Sequence, residues 1–276
     1  MSLELAPRPF NEEIRAKTVI STGLIDSPEP ELFQIYSDLA KDISGFDKAS
    51  FSLYDLDFQC PIASTGYEED RNGQKYARDS LNVCSHVILD SEPLLITDLS
   101  KDSTWKNHPK ILNGTGSLGY AGFPVINKDN FALGTLCMFN LEGPKHLSQH
   151  QIDLVKKITK NIAHLLDLQI EQKEMTSQKM LEALIQFKKF GQKLTIADLE
   201  TFVSMSAGLT PDKTETNGLV ESGLCKLTSE GALVFSTEGI NLQRDMKLEA
   251  KPMKKIKMTG DDASKLIDQM FSELEQ

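Results

Sequence analysis

The apolar period of this chain changes at Ala49, and that change restricts the fold more than any other feature of the sequence. Before it, Leu32, Phe33, Ile35, Tyr36, Leu39, Ala40 and Ile43 recur at intervals of three and four, the spacing of one buried stripe on a helix. After it, Ala49, Phe51 and Leu53 alternate with Ser50, Ser52 and Tyr54, the period of two expected of a half-buried strand. A one-striped helix followed by a one-faced strand predicts that the first lies against a sheet built from the second. Cys60–Ala63 can supply the hairpin partner.

The same reading extends in both directions. Phe10 to Ile20, with Ile14 and Val19, predicts an earlier helix ended by Gly23, and Ser27-Pro28-Glu29-Pro30 opens the striped helix. Glu68 to Gln74, containing Asn72-Gly73, reads as a surface loop. Leu81–Leu89 suits a short helix, Glu92-Pro93 ends it, and Leu94–Thr97 suits a strand. A loop holding Asp98, Asp102, Trp105 and His108 follows, then strands Tyr120–Ile126 and Phe131–Asn140 joined by the turn Asn127–Asn130. Together these elements predict an α+β plan, an antiparallel sheet with helices packed on it.

Ser148 is placed to cap a long helix whose Val155, Ile158, Ile162 and Leu165 form a seam able to pair with a second copy. The stretch from Leu168 to Lys179 is almost wholly polar, and Met180, Leu181, Leu184, Ile185 and Phe187 restore a stripe before Gly191. This divides the chain into a domain over 10–170, a helical linker over 171–190 and a small C-terminal domain over 191–276. In the last part, helices at Ile196–Met205 and Asp212–Leu224 precede a hairpin at Leu227–Phe235, an order resembling a winged helix. One helix capped by Ser236 and another over Asp261–Leu274 complete it, with a lysine-rich link over Lys247–Met258 between them.

Composition excludes some functions. A net charge of −10 opposes phosphate backbones and anionic lipid in general. No apolar run reaches the roughly 18 residues that a membrane span needs, and the first ten residues lack a signal-peptide core, so the expected location is cytoplasmic. Cys60, Cys84, Cys137 and Cys225 lack the paired spacing of a zinc site. DNA binding by the C-terminal domain is disfavoured, because Gly191–Gln276 holds ten Lys/Arg against fourteen Asp/Glu. Lysines 247, 251, 254, 255 and 257 read as a solvated link or as a phosphate contact.

Between Arg78 and Asn140 an apolar framework surrounds Cys84, His86, Trp105, Tyr120, Phe123 and Cys137, a set that reads as a pocket without catalytic machinery. The order of its blocks resembles the GAF sensor domain: Arg78, Val83–Asp90, Glu92–Asp98, Gly119–Pro124 and Leu133–Met138, with Ala16–Pro28 similar to the leader helix and turn. The resemblance covers about Phe10 to Ile170 and implies a six-stranded antiparallel sheet with a ligand cavity on one face and dimerising helices on the other. Arg78, Cys84, His86, Trp105, Tyr120 and Phe123 are then the candidate ligand-binding residues, with Arg78 suited to an anion. On a helix Cys84 and His86 point about 200° apart, so one of them packs instead.

The known subfamilies fit less well. Asn127-Lys128 and Phe131 resemble the cyclic-nucleotide signature, but no Asp-Glu pair follows. His108, Leu112, Gly116 and Pro124 match bilin-binding spacing, yet Asn107 stands where the thioether cysteine belongs. Val83-Cys84 is similar to part of the free methionine sulfoxide reductase pattern, whose other blocks are missing. The resemblance therefore implies a non-catalytic, homodimeric sensor of an unnamed small molecule or partner. The alternatives are a DNA-binding transcriptional regulator and a cysteine-dependent redox enzyme.

Overall fold

The computed structural model describes residues 3–191, 193–209 and 217–248. They form two compact units, one ending at Ser177 and the other beginning at Gln178. The first unit contains helices α1 (Glu12–Thr22) and α2 (Pro30–Ser44), then strands β1 (Lys48–Tyr54), β2 (Phe58–Thr65) and β3 (Tyr76–Ala77). Helix α3 (Cys84–Val87), β4 (Leu94–Ile96), α4 (Pro109–Leu112), β5 (Gly119–Ile126) and β6 (Ala132–Asn140) follow, and α5 (Gln149–Lys188) leaves the sheet. All six strands join one antiparallel sheet in the order β3-β2-β1-β6-β5-β4.

Local chemistry sets most of these boundaries. Gly23 ends α1 in the left-handed region at φ 74°, which a side chain would oppose, and Pro30 starts α2 at a position where no amide is needed. Ser148 and Gln151 form a reciprocal cap on α5: Gln151 N–H donates to Ser148 Oγ at 3.3 Å and Ser148 N–H to Gln151 Oε1 at 2.9 Å. The polar stretch after Leu168 contains neither glycine nor proline, so α5 continues through it as a single helix of 40 residues, about 60 Å long.

The two faces of the sheet differ. On one, Phe33, Phe51, Phe123, Leu136, Met138, Val155, Ile162 and Leu166 join a dry core under α2 and α5, and the rings of Phe33 and Phe51 lie 5.2 Å apart. Burying each such side chain contributes about 1.5–3 kcal/mol. The single stripe expected on α2 is split: Phe33, Ser37, Ala40 and Ser44 meet the sheet, while Leu32, Ile35 and Leu39 are 46%, 56% and 41% exposed. Seven apolar residues cover a wider arc than one sheet contact can use, and Ser37 draws the contact to its own side by donating to the Ala63 carbonyl at 2.9 Å.

The other face holds a smaller core of Tyr54, Cys84, Val87, Ile88, Ile96, Leu99, Trp105, Tyr120 and Cys137. Strand β1 is accordingly buried on both sides, not half-buried, because Ser50 and Ser52 face the segments that cross this second face. Three elements were not expected, one of them a 3₁₀ turn over Trp105–Asn107. Strand β3 has two residues, too few for a period to show, and α4 arises where Pro109 follows His108, whose Nδ1 accepts from the Lys110 amide at 3.2 Å.

In the second unit, α6 (Ile196–Ser206), α7 (Asn217–Glu221), the hairpin β7 (Cys225–Leu227) and β8 (Leu233–Phe235), and α8 (Thr237–Asp245) surround Phe187, Phe202, Leu219, Leu224 and Leu242. Thr195 and Asp198 form a capping box on α6, and Ser236 caps α8 by accepting from the Gly239 amide at 3.0 Å. The start of the helix expected from Asp212, most of the lysine-rich link and the helix expected over Asp261–Leu274 lie outside the described residues.

Candidate ligand cavity

The second face of the sheet carries a cavity of about 640 Å³. Strand residues Ser50, Ser52, Gln59, Pro61, Cys137 and Phe139 contribute to its walls. The cover comes from Tyr67 and Arg71 in the loop before β3, from Leu81–Cys84 leading into α3, and from Trp105, His108 and Ile111 around α4. Gly122 permits close packing of α3, since a Cβ there would stand 2.6 Å from Val87 Cγ2 and 2.3 Å from the Tyr120 hydroxyl.

A chain of hydrogen bonds crosses the strand wall. Asn82 donates to Gln59 Oε1, Gln59 Nε2 donates to Ser52 Oγ at 3.2 Å, and the Ser50 and Ser64 hydroxyls pair at 2.9 Å. Deeper, Tyr120 and Cys137 pair at 3.1 Å and Cys137 reaches Thr135 at 3.2 Å. The hydrogen bond with Cys137, together with burial, pushes the Cys84 thiol well above its ordinary pKa. Burial would raise the Cys137 pKa as well, but the same bond, with those to Thr135 and Tyr120, overrides it and lowers that pKa, so the two thiols share one proton equilibrium.

Arg71 is the main charged group of the cover. Its guanidinium carbon lies 4.7 Å from the centre of the Tyr67 ring and 4.8 Å from that of Tyr76, and its Nε donates to the Tyr76 hydroxyl at 3.1 Å. Burial is the largest single influence and works against its charge, but the bond to Tyr76 and the Tyr67, Tyr76 and Cys84 side chains together outweigh it, and the pKa lies above the ordinary value. Lys48 Nζ sits 5.0 Å from the centre of the same Tyr67 ring. Burial raises the Tyr67 pKa, so its phenol keeps its proton, and among the described residues no acceptor takes it.

The structure separates the six residues singled out from sequence. Cys84 and Trp105 line the cavity. Tyr120 lies under it, reaching its wall through Cys137. His86 is not a lining residue; it packs edge-on against Trp105 with ring centres 5.2 Å apart, and burial lowers its pKa. Phe123 needs correction: alternation along β5 turns it into the dry core on the opposite face.

Arg78 needs correction too. Its guanidinium donates to Glu12 Oε1 and to the Asp55 carbonyl, away from the cavity. Arg15 completes this buried knot, donating to Glu12 at 2.7 and 3.0 Å and to the Tyr54 carbonyl at 2.7 Å. Burial raises the Glu12 pKa, but the two arginines override it and hold the carboxyl below its ordinary value. The missed cation, Arg71, sits in a stretch read as a plain surface loop; its signal was the interleaving of Tyr67, Arg71 and Tyr76. Among the described residues no group of three His, Cys, Asp or Glu side chains is placed to hold a metal ion.

A family model described as "GAF domain" matches residues 29–166, which span the sheet, its cover and the first part of α5. The chain belongs to the GAF domain family. No curated protein matches it. Among solved structures, the GAF domain of Thermosynechococcus elongatus PixJ in its blue-light-absorbing form is 14% identical, with 58% of this chain and 94% of that chain covered and a TM-score of 0.44. A GAF domain from an Acinetobacter phosphoenolpyruvate-protein phosphotransferase is 17% identical, covering 56% and 93%, with a TM-score of 0.43. The chromophore-binding domain of the R. palustris bacteriophytochrome RpBphP3 is 13% identical, covering 61% and 65%, with a TM-score of 0.43. Within the GAF unit described here, His108 lines the cavity and bonds the Leu81 carbonyl at 3.1 Å.

Proposed function

We propose that the GAF unit is a non-catalytic sensor that takes a small molecule into the cavity on the second face of its sheet. The cavity itself carries this reading: about 640 Å³ lies within the roughly 300–1,000 Å³ typical of ligand sites, and its walls combine apolar surface with a few placed polar groups. Four buried free cysteines suit a reducing, cytoplasmic setting. Among the described residues no helix is long and apolar enough to cross a membrane.

Helix α5 is the proposed relay. Val155, Ile162 and Leu166 anchor it in the dry core of the sheet, and the same helix supplies Phe187 to the core of the second unit. A ligand shifts such a helix only by binding one arrangement better than another, by about 1–3 kcal/mol for ordinary coupling. Homodimerisation through helices belongs to the same reading and is supported by the exposed Leu32, Ile35 and Leu39.

Trp105 is the only tryptophan of the chain and stands in the cavity wall, so its emission reports occupancy directly. Native mass spectrometry of protein purified from its source should show a bound small molecule, and re-adding that molecule should change Trp105 emission and slow amide exchange along α5. A bare chain mass, with no compound of a metabolite panel altering the emission, defeats the reading. Sedimentation showing a monomer at every concentration removes the dimer from it.

A further inference from the structure

We propose that this cavity selects an organic anion, and that Arg71 receives the anionic group. The inference rests on the cavity being a ligand site and adds the class of ligand. The chain has 40 Asp and Glu against 30 Lys and Arg, so a wall formed without regard to charge would be more acidic than basic. Instead the charged residues lining the cavity are Lys48, Arg71 and Lys110, with His108 beside them and no carboxylate among the lining side chains. None of the three cations has an ion pair to a carboxylate among the described residues.

Cations without an ion-pair partner are free to take one, and an arriving anion supplies it while gaining charge-assisted hydrogen bonds. Arg71 is prepared for this role. The Tyr67 and Tyr76 rings and the bond to the Tyr76 hydroxyl hold its planar group, which removes rotamer freedom that a lysine would lose on binding. The protonated Tyr67 hydroxyl, buried without an acceptor, supplies a second donor alongside. Trp105, Ile111 and Phe139 line the rest, so the ligand pairs a carboxylate, sulfonate or phosphate with an apolar body.

Two dyes of one ring system separate charge from shape: 8-anilinonaphthalene-1-sulfonate, an anion, and N-phenyl-1-naphthylamine, its neutral counterpart. Binding of each to the full chain is followed by quenching of Trp105. The anion should bind at least about tenfold tighter than the neutral dye, as expected for one charge-assisted hydrogen bond or more. Arg71→Met should erase that preference and leave the neutral dye within about twofold, while Arg71→Lys should keep part of it. Lys48→Met, on a separate strand, should weaken the anion alone by a smaller factor and serves if Arg71→Met unfolds. Equal affinity for both dyes, or equal loss of both on Arg71→Met, overturns the anion assignment and leaves the cavity reading standing. Failure of both dyes to quench Trp105 overturns the two together.

Discussion

The two faces of one sheet have been put to opposite uses, and β1 shows both within two residues. Phe51 points into a core closed by α2 and α5, while Ser52 points towards the cavity and takes part in a hydrogen-bond chain with Gln59. Closure on one side gives the sheet a rigid back; the opposite side can then leave space unfilled and spend its surface on hydroxyls, thiols and cations. A hollow against the sheet is tolerable because the other face supplies the hydrophobic stabilisation.

Substitution can break this comparison. Phe51→Ala should have the largest effect, a loss of about 4 kcal/mol in denaturant unfolding, since helices on a packed face cannot collapse into the space. A loss below that caused by changes on the cavity side would show that the dry face is not the support. Glu12→Gln comes next, at about 3 kcal/mol, because it leaves Arg15 and Arg78 buried without their counter-charge.

The same carboxyl sharpens the contrast through pH. Its folded pKa lies below its ordinary value, so its contribution is complete above about pH 4.5 and is lost as pH falls through the folded value. Stability curves of wild type and Glu12→Gln should therefore converge in acid; parallel curves would argue that the knot is not electrostatic. Ser52→Ala should be smallest, about 1 kcal/mol or less, because water in the cavity can replace the hydroxyl for Gln59. A cost equal to that of Phe51→Ala would mean the second face is packed as tightly as the first.

Much of the dry face was legible because its residues obey a period. Phe33, Ala40, Ala49, Phe51 and Leu53 declare helix and strand by spacing alone, and the ordered blocks from Arg78 to Met138 carried the family. The cavity was legible only in part. Cys84 and Trp105, odd residues in an apolar setting, do line it, whereas Phe123, expected beside them, lies in the core of the opposite face, where its alternation with Tyr120 already places it.

Arginine roles were the hardest to read. Arg78 and Arg71 lie seven residues apart in similar polar sequence, and what distinguishes them is tertiary: one pairs with Glu12 from a helix far earlier in the chain, the other meets two tyrosine rings and has no ion pair among the described residues. No local pattern encodes a counter-charge 66 residues away. The split stripe of α2 was hidden for a related reason, since a helix records which residues are apolar but not how wide its neighbour is.

The Glu12–Arg15–Arg78 knot also decides where this domain begins. The family match starts at residue 29, yet the carboxylate neutralising Arg78 is on α1, seventeen residues earlier than that start. A fragment cut at the family boundary would keep all six strands of the GAF sheet and still leave one guanidinium beneath the β1–β2 turn with a backbone oxygen and the Tyr54 ring but no counter-charge from Glu12. The self-sufficient piece of this chain therefore includes the leader helix, which acts as a latch and not as an appendage.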